Sequence, residues 1–185
     1  SAGAALISGT QSELTVEAGA VEAYGTIQSN GAAIKLGAED QKLSSVAVYG
    51  DGSARAILRS NGGDVSVWAG DVTIANEGQT AIDAFTLQRD GERETSSMRV
   101  HADNNLVVVG DIVSGKDGHS SQNILKDSLI DLSADGTTQI AGNIYTFNDD
   151  SYFKDGVETD GVTTNRVKVD ISGGQSHLTG AIYDV

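Results

Sequence analysis

The stretch Thr138–Tyr145, TQIAGNIY, decides the fold, because the same phrase recurs along the chain. Leu106–Ile112 reads LVVVGDI, and Ser176–Tyr183 reads SHLTGAIY. In each copy a short apolar run leads to a glycine, one residue follows, and a branched apolar residue comes next. The glycines that centre these phrases and their looser copies are Gly25, Gly50, Gly70, Gly110, Gly142 and Gly180. The phrase is therefore a repeat with the two-residue period of a β-strand.

Apolar residues flank these glycines at almost every copy. Two positions before them stand Ala23, Val48, Trp68, Val108, Ile140 and Leu178, and two positions after them stand Ile27, Gly52, Val72, Ile112, Ile144 and Ile182. Alternate residues of a strand face one side, so we expect these side chains to share one interior and to form buried ladders. A glycine between them lets the chain bend sharply or stack closely on a neighbouring copy.

Longer units surround the phrase, each reading as strand, turn, strand, glycine corner and third strand. They cover residues 57–74, 98–114, 130–146 and 167–184, and residues 1–30 read as three further short strands. Such a unit cannot bury its own apolar face, whereas stacked copies can. We therefore predict an all-β fold, a right-handed parallel β-helix with three strands per coil. At about 20 residues a coil, roughly seven to nine coils form a single domain over residues 1–185.

Segments of differing length and content separate these units. They cover residues 75–97, 114–128 and 147–166, and each follows the third strand of its unit. Within the first segment, AIDAFTLQ is also compatible with a further strand pair. Insertions at one place per repeat collect on one side of a solenoid, which is often its binding side. We expect any recognition to use charged residues of these segments, such as Arg89, Arg93, Lys116 and Lys154.

Composition excludes several classes of function. Twelve Lys and Arg residues stand against 26 Asp and Glu residues, and the net charge of −14 disfavours binding to nucleic acid or anionic membranes. The chain has no cysteine, which excludes disulfides, zinc-thiolate sites and thiol catalysis. No apolar run approaches the roughly 18 residues of a membrane helix. No signal peptide is visible and Ser1 begins in mid-pattern, so we expect a fragment of a longer protein.

The histidines do not predict a metal or catalytic site. His101, His119 and His177 stand at no metal-binding spacing relative to one another. His101 and Asp103 are placed to share a strand face, but two ligands alone do not make a site. His101 and His177 lie in strand-like runs, where an exposed or hydrogen-bonded histidine is the ordinary interpretation.

Two sets of acidic residues leave alternatives open. Asp149, Asp150, Asp155 and Glu158 lie close together in sequence and offer oxygens for calcium, although the segment matches no EF-hand or β-roll pattern. A solvated loop is the simpler interpretation. Near turns and corners stand Asp64, Asp71, Asp103, Asp111 and Asp135. They fit either turn chemistry or the carboxylate cluster of a polysaccharide lyase or hydrolase, but no Arg or Lys recurs in register with them.

Aromatic residues are few and allow two interpretations. Trp68 and the tyrosines Tyr24, Tyr49, Tyr145, Tyr152 and Tyr183 form either a sugar-stacking platform or ordinary edge packing, which we favour. Tyr145 and Tyr183 each follow the isoleucine of a copy, so they are predicted to point outward. The sequence thus predicts no catalytic residue, no cofactor and no metal site.

The phrases VVVGDIVS, QIAGNIYT and SHLTGAIYD resemble the last coils of the passenger regions of bacterial autotransporters, the type V secreted adhesins. The resemblance covers roughly residues 50–185, and the acidic, cysteine-free composition agrees with it. It implies a pectin-lyase-like rod on the bacterial surface, carried there by an outer-membrane barrel that this chain does not contain, with a role in virulence. A stalk or adhesin of this kind attaches to host or bacterial glycans or proteins, or to itself. A secreted carbohydrate-active enzyme of the same fold is the alternative.

Overall fold

A computed structural model describes residues 4–10, 12–17, 19–30, 32–52, 56–61, 63–85, 96–114, 127–146 and 166–184. Its strands are β1 Ala4–Thr10, β2 Leu14–Val16, β3 Ala20–Asn30, β4 Ile34–Leu36, β5 Leu43–Tyr49, β6 Leu58–Asn61, β7 Val65–Phe85, β8 Ser96–Ala102, β9 Asn105–Ser114, β10 Asp127–Ala141, β11 Ile144–Thr146, β12 Arg166–Thr179 and β13 Ile182–Asp184. The fold is all-β. Within these ranges no helix is long and apolar enough to cross a membrane.

The strands form one sheet in which the pairings between named strands are parallel. The register aligns the apolar positions into three ladders. The first ladder contains Leu14, Ile34, Val65, Met98, Ile130 and Val169. The second contains Ala23, Val48, Ile74, Val108, Ile140 and Leu178. The third contains Leu6, Ile27, Leu58, Ile82, Ile112, Ile144 and Ile182.

The hydrophobic core contains the middle members of each ladder together with Leu14, whereas the other outer members are half-buried or exposed. Val108, Ile140 and Ile144 are fully buried, as the repeat predicts. Ala23 is only half-buried, and the prediction is wrong for Leu178 and Ile182, which are 38% and 49% exposed. Their strands, β12 and β13, each have a partner on one side only, so no further strand among the described residues covers these side chains.

Gly70 does not belong with the other repeat glycines. Val67, Ala69 and Val72 are buried, whereas Trp68 is half-exposed and lies on the outer side of β7. Gly70 therefore follows the first ladder rather than the second, and the sequence alignment at VSVWAGDV is wrong. Asn76 stands in the equivalent place, because a Cβ on Gly50 would lie 2.0 Å from its Oδ1 atom.

The corner glycines that follow the second ladder stack directly on one another. A Cβ on Gly142 would lie 2.2 Å from the carbonyl oxygen of Gly110, and one on Gly180 would lie 2.1 Å from that of Gly142. Side chains cannot occupy such gaps, since they are far below van der Waals contact. This confirms that close stacking selects glycine at the repeated phrase.

The first predicted insertion is wrong over its first half. Residues 75–85 belong to β7, and Ile82 is a buried member of the third ladder, as the strand interpretation of AIDAF implies. What remains of the insertions, residues 86–95, 115–126 and 147–165, lies outside the described residues.

The strands that flank these segments end and begin in register. The ends align as Ala84 with Ser114 and Ser114 with Thr146, and the beginnings as Ser96 with Ser128 and Asp127 with Arg166. At all three segments the preceding strand thus ends beyond one ladder and the following strand begins before another, which agrees with their predicted common position in the repeat.

Candidate functional site

The outer side of the first ladder carries three neighbouring polar or aromatic side chains. Trp68, His101 and Ser133 follow one another in register on β7, β8 and β10. The Trp68 and His101 ring centroids lie 5.0 Å apart. His101 Nδ1 lies 3.0 Å from Ser133 Oγ, and the His101 side chain is only 17% exposed. The imidazole is therefore held in one orientation by an indole and a hydroxyl.

Two aspartates complete a cluster with His101. The ligand atoms of His101, Asp103 and Asp135 all lie within 4.8 Å of one another. The aspartates occupy successive turns that backbone hydrogen bonds join: Gly136 N–H and Thr137 N–H donate to Asn104 O at 2.9 Å and 3.2 Å. The backbone therefore brings a carboxylate of one repeat beside a histidine and a carboxylate of the preceding one.

Lys42 reaches this cluster from an earlier turn and forms an ion pair with Asp103. The hydrogen bond between them is the main reason that the pKa of Lys42 is raised, and nearby Asp135 and Glu39 add to that effect. The same hydrogen bond lowers the pKa of Asp103. At neutral pH Lys42 is thus protonated and Asp103 ionised, so neither is suited to act as the general base or the general acid, respectively, of a polysaccharide-cleaving enzyme.

Sequence reasoning found part of this cluster. It paired His101 with Asp103 and separately grouped Asp103 with Asp135 among the corner aspartates, but it did not combine the two observations. The shared place of the two aspartates, directly after Ala102 and Ala134, was the signal that could have joined them. The sequence predicted no Arg or Lys in register with the corner aspartates, and Lys42 reaches Asp103 through its long side chain rather than through register.

The remaining corner aspartates bind backbone. Asp64 Oδ1 accepts a hydrogen bond from Ser97 N–H at 2.8 Å, Asp71 Oδ1 from Asn105 N–H at 3.2 Å, and Asp111 Oδ1 from Asn143 N–H at 2.9 Å. Each bond joins one repeat to the next. The turn interpretation is confirmed for these three residues, since their carboxylates satisfy backbone donors at corners.

The other predicted side chains are scattered. Tyr145 and Tyr183 point outward as predicted, and their ring centroids stack 5.2 Å apart. Tyr24 stacks on Tyr49 with centroids 5.3 Å apart, on strands that carry the second ladder. His177 is exposed on β12. His119, Tyr152, the acidic segment 148–160 and the charged residues Arg89, Arg93, Lys116 and Lys154 lie outside the described residues.

One further ion pair lies on the outer side of the third ladder. Arg59 and Asp83 are register partners, and Arg59 Nε lies 3.2 Å from Asp83 Oδ2. Burial raises the pKa of Asp83, and the positive charge of Arg59 opposes this rise. The pair is separate from the His101 cluster, which is built on the strands that carry the first ladder.

No protein family, curated protein or solved structure matches the chain. The resemblance to autotransporter passengers therefore depends on the repeated phrases alone.

Proposed function

We propose that the chain is a right-handed parallel β-helix that acts as a non-enzymatic stalk or adhesin, either on a bacterial surface or secreted. The observation that carries this proposal is the common register of the strand ends at Ala84, Ser114 and Thr146. A scaffold that releases three dissimilar segments at one place offers them together on one side. Loops on a rigid scaffold vary without unfolding it, so they are suited to recognition.

The division between scaffold and display also agrees with the packing. The ladders are fully buried in the middle of the sheet, and the corner glycines allow no side chain. We expect substitution there to lower stability and substitution in the connecting segments to leave it nearly unchanged. The partners of such a display are glycans or proteins of host or bacterial surfaces, or a second copy of the chain. Nucleic acid is disfavoured by the net charge of −14.

The test replaces each of segments 86–95, 115–126 and 147–165 by a short Gly-Ser linker, singly and together. Beads coated with each purified chain are then scored for binding to cells and for bead–bead association. We expect adhesion to fall when one or more segments are replaced, while the urea midpoint stays within experimental error. Unchanged adhesion in the triple variant would mean that the chain acts only as a stalk. Unfolding of the single variants would contradict the division into scaffold and display.

A secreted carbohydrate-active enzyme is the second candidate, favoured by the cluster of Lys42, His101, Asp103 and Asp135 beside Trp68. The ionisation of Lys42 and Asp103 counts against Lys42 as a general base and against Asp103 as a general acid. An assay for new reducing ends and unsaturated uronates, run on neutral and acidic polysaccharides, discriminates the two candidates. Cleavage by the natural chain that His101→Gln abolishes would establish the enzyme and overturn the non-enzymatic proposal.

A further inference from the structure

We propose that His101, Asp103 and Asp135 bind a divalent transition metal ion, with Zn²⁺ as the best-suited ion. One imidazole nitrogen and two carboxylates are ligands that Zn²⁺ accepts, with water completing the shell. All three ligand atoms lie within 4.8 Å of one another, so they are close enough for one ion to bridge them after modest side-chain movement. This inference does not depend on the proposed function.

Ser133 prepares His101 for this role. Its hydroxyl lies 3.0 Å from Nδ1, and when Nδ1–H donates to that oxygen, the lone pair remains on Nε2. Nε2 is the nitrogen that faces Asp103, at 3.6 Å from Oδ1. A hydrogen bond that fixes the tautomer and the ring orientation is the usual outer-shell support of a metal-bound histidine.

The choice of metal follows from the ligand set. Calcium requires six to eight oxygen ligands, and magnesium prefers carboxylates and water, so neither gains from the imidazole. Zinc and its neighbours in the first transition series bind imidazole nitrogen well. The chain offers no thiolate, so affinity rests on the histidine and the two carboxylates.

Lys42 is the internal competitor of the metal. Its ammonium group pairs with Asp103 and lies in the field of Asp135, and it neutralises part of the charge that would attract a cation. Metal binding therefore displaces Lys42 from Asp103. Removing the ammonium should strengthen metal binding, whereas removing a ligand should weaken it.

The ion would join two repeats, because His101 and Asp103 belong to one and Asp135 to the next. A ligand that binds only the folded chain stabilises it by mass action. Zinc should therefore raise the resistance of the protein to urea, by an amount that grows with the logarithm of its affinity.

The experiment is calorimetric titration of Zn²⁺ into the whole metal-free chain, and it compares His101→Gln with the matched variant His177→Gln. His177 is an exposed strand histidine, so it controls for the loss of one imidazole. We expect His177→Gln to bind as the natural chain does, and His101→Gln and Asp135→Asn to lose roughly tenfold or more in affinity. Lys42→Met should bind several-fold more tightly.

A second readout is the urea midpoint with and without Zn²⁺. The rise with zinc should occur in the natural chain, His177→Gln and Lys42→Met, and should disappear in His101→Gln. Equal zinc affinity in His101→Gln and His177→Gln would overturn the site, as would the absence of any zinc effect in the natural chain. If His101→Gln does not fold, the opposite effects expected of Asp135→Asn and Lys42→Met decide the question.

Discussion

The Asp111 carboxylate accepts a hydrogen bond from the backbone N–H of Asn143 at 2.9 Å, and the two residues are 32 positions apart in the chain. They hold equivalent places, each directly after a corner glycine. The same kind of bond joins Asn143 to the following repeat, because Asn143 Oδ1 accepts a hydrogen bond from Ala181 N–H at 3.1 Å. A side-chain oxygen at this position thus caps the backbone donor of the following repeat.

Replacing Asp111 by Ala should lower the free energy of unfolding by about 1–2 kcal/mol, because a half-buried N–H loses a charged acceptor. Asp111→Asn keeps an acceptor oxygen and should lose less. Urea denaturation of both variants measures the difference. Equal stability of Asp111→Ala and the natural chain would show that water replaces the carboxylate without loss.

Gly142→Ala should destabilise the chain by about 3 kcal/mol, because the new methyl group would press on the Gly110 carbonyl oxygen and the backbone would have to shift. Gly52→Ala is the matched control. Its φ of +84° disfavours alanine, but nothing lies within 4 Å of the new Cβ. The control should lose only about 1 kcal/mol. Similar losses in the two variants would contradict close stacking at the corner.

Ile140→Asp and Leu178→Asp compare a covered and an uncovered member of one ladder. Ile140 is fully buried, so an aspartate there lacks a partner and should cost about 4 kcal/mol or more. Leu178 is 38% exposed, so the same change should cost about 1 kcal/mol. Urea midpoints of the pair decide, and a larger loss at Leu178 would show that the last described strands are covered in solution.

Asp83 should give stability a pH dependence of opposite sign to that of Asp103. Burial raises the folded-state pKa of Asp83 above its ordinary 3.8, so the folded state binds more protons than the unfolded state just above that pH. Its contribution to stability therefore falls as pH rises through the folded pKa. We expect Asp83→Asn to gain stability relative to the natural chain as pH is raised from about 3.5 to 6. A pH-independent difference would contradict the raised pKa.

Much of the fold could be predicted from the repeated phrase, because alternating apolar residues around a glycine determine both strand and interior. The repeated phrase gave a wrong prediction at Gly70. This glycine follows Ala69 at the corner after the first ladder, and Trp68 lies on the outer side. The sequence alone does not distinguish the corner after the first ladder from the corner after the second ladder, since both need a residue without a side chain. Only the strand register shows that Val72 lies on a strand that carries the second ladder. It also shows that Asn76 stands at the corner equivalent to the repeat glycines.

The candidate site was less accessible to sequence reasoning, for a physical reason. His101 and Asp103 are neighbours along the chain, but Asp135 and Lys42 approach them across repeats. Repeat alignment predicts such neighbours at equal offsets, and it placed Asp135 with Asp103 among the corner aspartates without joining them to His101. It does not find Lys42, whose reach depends on a flexible side chain.

The parallel stacking of repeats is the central claim, and cross-linking between outward residues tests it most directly. Gln139 is the register partner of both Val107 and His177. Because the chain has no cysteine, pairs of introduced cysteines report only on their own distance. We predict rapid disulfide formation for Val107→Cys with Gln139→Cys and for Gln139→Cys with His177→Cys. The pair Val107→Cys with His177→Cys should stay reduced, since two strand spacings, about 9.6 Å, separate them. Efficient cross-linking of that last pair, with failure of the first two, would contradict the account.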